Sequence, residues 1–218
     1  RLAKLVPGAG HLVHMPSHIY MRVGQYRDAA DSNAKAAAID ADYIAKHHVQ
    51  GIYSMMYYPH NIHFLWSAAT MEGHSATSLS AARDLISKLP TEMVRQMPPL
   101  EFIPPTFLFG LMRFGKWDEI LQQPAPPEEL QYTTGIWHYV RGLAFSAKGQ
   151  LDEAEKEHAA VIASVAALPP DKIIGENTPA PTLLKIAAQT LAGEIASKKG
   201  HIDQAVPALK EAVQLQDG

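Results

Sequence analysis

Residues 149–154 read Gly149-Gln-Leu151-Asp-Glu-Ala154, and this short stretch decides the fold because it recurs along the chain. The same order appears as Gly24-Gln-Tyr26-Arg-Asp-Ala29, Gly73-His-Ser75-Ala-Thr-Ser78, Gly115-Lys-Trp117-Asp-Glu-Ile120 and Gly200-His-Ile202-Asp-Gln-Ala205. Glycine lets one helix end and the next begin within a tight turn. The small residue that follows lets the two helices approach closely. Gly115 and Gly149 stand 34 residues apart, and the other intervals are 49, 42 and 51. Self-similarity in this range marks an array of supersecondary units. The expectation is an all-α chain with irregular insertions at 43–58 and 91–100 and a linker at 170–181. Segment 43–58 extends a helix or adds one, and no alternating strand pattern of useful length is visible.

The 218 residues are 47% hydrophobic and 19% charged, the balance of a folded chain. The formal charge is −3, which gives no reason to expect nucleic acid or an anionic membrane surface as a partner. No apolar run reaches the roughly 18 to 20 residues of a membrane span. There is no cysteine, so disulfides, thiolate zinc sites and cysteine nucleophiles are excluded. That suits a cytoplasmic or an exported chain, with the cytoplasm favoured. The chain begins at Arg1 without a methionine and reads as a fragment of a longer one.

The five turns resemble those of the tetratricopeptide repeat family. Gly142 and Gly193, each seven residues before a turn glycine, match the small residue of that family's first helix. Asp42, Pro90, Pro169 and Asp217 stand where its repeats close. The resemblance implies one superhelical domain over 1–218, with repeats near 10–42, 59–90, 101–127, 135–169 and 186–217. In the third, Pro124, Pro126 and Pro127 cut the second helix. It also implies a concave groove lined by set positions of each first helix. In repeats three and four these include Phe102, Phe109, Met112, Arg113, Ile136 and Tyr139, an apolar wall of the kind that takes a peptide. In repeat one they are His11, His14, His18, Met21 and Arg22, and repeat two opens with His60 and His63.

Of eleven histidines, seven fall between His11 and His63. His11, His14 and His18 have the i, i+3, i+7 spacing of one helical stripe, and His60 and His63 repeat its start. Neighbouring helices pack about 8 to 10 Å apart, so imidazoles from both can converge. Pro16 complicates the stripe: as the first residue of a helix it would leave His11 and His14 on a preceding turn. Pro59 starts a helix immediately ahead of His60. An all-histidine set with an open position suits zinc, copper, nickel or iron. Asp28, Asp31, Asp40, Asp42 and Glu72 lie off the stripe, which argues against calcium or magnesium. His47 and His48 join the site or are solvated, while His74, His138, His158 and His201 read as structural. The runs His11-Leu-Val-His14-Met-Pro-Ser-His18 and Pro59-His60-Asn61-Ile-His63 resemble segments of bacterial repeat proteins of unassigned function.

Two functions follow. One is a scaffold whose groove binds a peptide or protein partner. The other is a histidine-ligated metal site in repeats one and two, structural or catalytic, with metal-dependent hydrolysis as the first reaction class. Whether the chain is an enzyme stays open at this level. No nucleophile elbow or phosphate-cradling glycine loop is present.

Overall fold

Helices dominate, as the glycine-punctuated pattern requires. A computed structural model describes residues 5–217. The chain forms two compact units, residues 1–89 and 90–218.

The N-terminal unit opens with two short helices, α1 (Gly10–His14) and α2 (Ser17–Arg22). Pro16 has no N–H to donate to Leu12, and the helix breaks at Met15–Pro16. The single His11–His14–His18 stripe therefore does not form, and His18 sits on the second helix. The long helix α3 (Tyr26–His47) follows the first turn glycine. It buries Ala29, Asn33, Ala36 and Asp40, a stripe at 3.6-residue spacing. Next come a π-helical turn (Tyr53–Tyr57), α4 (Tyr58–Glu72) and α5 (Ser75–Ser87). Segment 43–58 thus both extends α3 and adds a turn leading into α4. Alanines 29, 30 and 68 form a small-residue interface between α3 and α4, with Tyr20, Met21 and Leu65 packed on it. Both α1 and α2 lie against α3, and α1 also touches α4.

The C-terminal unit begins with α6 (Thr91–Gln96) and a 3-10 turn (Pro98–Phe102). The short pair α7 (Thr106–Arg113) and α8 (Trp117–Leu121) follows, ending ahead of the three prolines. Helix α9 (Gln131–Ala147) pairs with α10 (Leu151–Ala167), and α11 (Ala180–Lys198) with α12 (Ile202–Asp217). Helix α11 starts six residues before the expected 186. The 170–181 linker holds two antiparallel two-residue strands, β1 (Ile173–Ile174) and β2 (Thr178–Pro179), too short to leave an alternating pattern. The core joins Ala154 and Val161 of α10 to Ala188, Leu191 and Ile195 of α11.

All five turn glycines have positive φ, from 62° to 88°, and each separates two helices. Gly142 and Gly193 serve packing instead: a Cβ on them would stand 2.4 Å from Leu191 and 2.6 Å from Leu209. Among the described residues, no helix is long and apolar enough to cross a membrane.

Candidate metal centre

His14 is the centre of the site, and its orientation is fixed by Asn33. Asn33 donates through Nδ2 to the carbonyl of Ala29 at 2.7 Å, which turns its Oδ1 toward His14. His14 Nδ1–H donates to that oxygen at 2.6 Å, with Ser17 Oγ 3.3 Å from the same nitrogen. Nδ1 therefore carries the proton, and Nε2 presents a lone pair to the interior. His18 Nε2 lies 2.9 Å from it and His60 Nε2 lies 3.2 Å from it. The three residues come from α1, α2 and α4, with the orienting amide on α3.

These spacings match a coordination shell. Two nitrogens bound at 2.0 to 2.1 Å stand about 3.3 Å apart at a tetrahedral angle and about 2.9 Å apart at a right angle. The ligand atoms of His14, His18 and His60 all lie within 4.8 Å of one another, so a modest rotation of His18 or His60 closes the set. His14 Nε2 has one lone pair, which an N–H of either neighbouring imidazole can approach. A bound ion would require the Nε2 lone pairs of His18 and His60, with their protons carried on Nδ1.

Phe64 covers one side of the cluster. Its ring centroid lies 4.8 Å from that of His14, 4.7 Å from that of His18 and 4.8 Å from that of His60. An apolar wall here raises the penalty for charge on the imidazoles. Burial, and then the surrounding imidazoles, hold His14 and His60 down at about 4, Asn33 opposing the shift at His14. Burial brings His63 to about 4 as well. All three are neutral at pH 7, the form a metal requires.

Of five histidines expected together, three converge. His11 stacks on His14 at 5.8 Å and meets Tyr57 edge-on, a shell further out, with its Nδ1 buried and without a hydrogen-bond partner. His63 stacks on Trp66 at 5.2 Å instead of turning to the cluster. His47 and His48 are exposed, and His48 ends α3 in the left-handed region. His74 precedes α5, His201 lies in the last turn, and His138 pairs with Glu157 at 2.6 Å. Among the groove positions, Arg22 and Arg113 are exposed, and Phe102, Phe109 and Met112 are half-buried. Ile136 is 3% exposed and Tyr139 packs on the α10–α11 core, because α9 turns that face toward α11.

Sequence reasoning missed Asn33 and Phe64. Asn33 was detectable as a polar residue on the alanine stripe of α3, since a buried amide requires a partner. No protein-family model, curated protein or solved structure matches this chain.

Proposed function

We propose that the N-terminal unit is a metal-binding module in which His14, His18 and His60 hold one transition-metal ion through Nε2. The observation that carries it is the convergence of three Nε2 atoms around an imidazole whose other nitrogen is tied to Asn33. Ligand histidines are oriented by a second hydrogen bond of this kind. The donor set holds no thiolate and no carboxylate, so zinc, copper, nickel or iron is favoured over calcium and magnesium. Three protein ligands leave a fourth position for water or substrate, the arrangement of catalytic zinc. Hydrolysis by metal-activated water is the reaction class to assay first.

Elemental analysis of tag-free protein decides the matter. We expect about one equivalent of metal in the unmutated chain and loss of it in His14→Ala, His18→Ala and His60→Ala. Far less than one equivalent in the unmutated chain, or full retention in folded variants, overturns the reading.

The tetratricopeptide-type repeat remains the proposed architecture. It is supported by the five positive-φ glycines between helices and the close approaches at Gly142 and Gly193. A groove for a peptide partner has thinner support, because Ile136 and Tyr139 are packed inward and the apolar wall shrinks to Phe102, Phe109 and Met112.

A further inference from the structure

Asp40 is fully buried on α3, and among the described residues no basic side chain pairs with it. Its oxygens accept from neutral donors, Tyr53 Oη at 2.6 Å and Asn61 Nδ2 at 2.7 Å. A buried carboxylate met only by neutral groups is costly unless a cation lies near. The chain nevertheless builds around it. A Cβ on Gly10 would stand 2.0 Å from Asp40 Oδ1, so only glycine fits there. The Tyr53 hydroxyl that holds Asp40 also takes the backbone N–H of His11.

This carboxylate belongs to the same packing as the imidazoles, since its partner Asn61 follows His60 on α4. Asp40 lies seven residues, two turns, beyond Asn33 on the same face of α3. His14 stands four residues beyond Gly10 on α1, a rise of about 6 Å. Helical side chains lean back toward the N-terminus, which shortens the gap between His14 and Asp40. Three neutral imidazoles bring no charge to offset a divalent ion, so a bound metal and Asp40 would be the two unbalanced charges of one interior.

We infer that Asp40 is the buried counter-charge of the metal centre, acting through space and not as a ligand. The inference rests on the metal reading of His14, His18 and His60. Over about 10 Å, the two-turn rise from Asn33 to Asp40, and at an effective dielectric near 20, one charge changes the affinity for a divalent ion on the order of a few hundredfold. For a monovalent ion the exponent halves, to about fifteenfold.

Asp40→Asn tests this with little loss of packing. Asn61 Oδ1 is buried without a partner, so turning the Asn61 amide over gives the new amide an acceptor. Zn²⁺ and Ag⁺ affinities are measured by titration calorimetry on the unmutated chain and the variant. We expect Zn²⁺ binding to weaken a few hundredfold and Ag⁺ binding about fifteenfold. The double variant Asp40→Asn with Asn61→Asp, which moves the charge across to α4, restores Zn²⁺ binding. Equal weakening for both ions, no weakening, or a double variant as weak as the single one overturns the role. If the unmutated chain takes up no Zn²⁺, the site and this role fall together; if it binds and Asp40→Asn binds equally well, only this role falls.

Discussion

His14 shows how much one side chain's surroundings dictate. Histidine titrates near 6.5 in an unfolded chain, whereas burial and neighbouring imidazoles bring His14 and His60 to about 4, and burial brings His63 to the same value. Between those values the unfolded chain binds more protons than the folded one. Metal-free stability from these groups is therefore complete above pH 6.5, falls as the pH drops from 6.5 to 4, and levels off below 4. Each unit of depression is worth about 1.4 kcal/mol per group before coupling is allowed for. Urea unfolding of metal-free protein across that range reads the slope, and a flat profile between 6.5 and 4 contradicts it. The spacing of His11, His14 and His18 was enough to locate the site. It could not say which histidines converge, because Pro16 and the stacking of His63 on Trp66 decide that in three dimensions.

Single elements were legible where backbone chemistry leaves few choices. A glycine at positive φ between two helical runs, as at Gly149, is visible in the sequence because other residues are strained there. The two-residue strands at 173–179 were not, since their reason lies elsewhere in the C-terminal unit. Glu101 is buried, accepts the N–H of Thr133 at 3.1 Å and pairs with Lys172 at 2.5 Å, while Gly175 N–H donates to Pro99. These contacts pin the β1–β2 segment to the 3-10 turn. Lys172→Met removes the partner and leaves Glu101 charged in the interior, a change that costs about 3 to 5 kcal/mol. Thermal or denaturant unfolding measures it. A change within about 0.5 kcal/mol would show the pair to be dispensable.

At the scale of the molecule, the division into two compact units gives the metal reading a spatial signature. A ligand that binds only the folded form adds about 2.7 kcal/mol at a hundred times its dissociation constant. His14, His18 and His60 all belong to the unit ending at Leu89, on three separate helices. Zn²⁺ is thus expected to slow amide exchange in α1, α2 and α4 together, with the helices beyond Pro90 as internal reference. Uniform slowing throughout, or none, counts against a site of this composition. An overall helical architecture was readable from periodic glycines. The partition at 89–90 was not, since residues 91–102 keep helical turns where a linker would have shown a shift in composition.

The ring of Phe64, held against three imidazoles at once, also equips the protein with an optical-bench component of its own. An aromatic ring in a magnetic field generates a local current, and protons over its face resonate well away from their usual positions. His14, His18 and His60 all lie inside that field, at ring separations below 5 Å. Their carbon-bound protons should be displaced in a proton NMR spectrum from those of exposed histidines such as His48 and His201. Any rotation of those imidazoles would shift the same few lines, so the site carries a built-in reporter that needs no label.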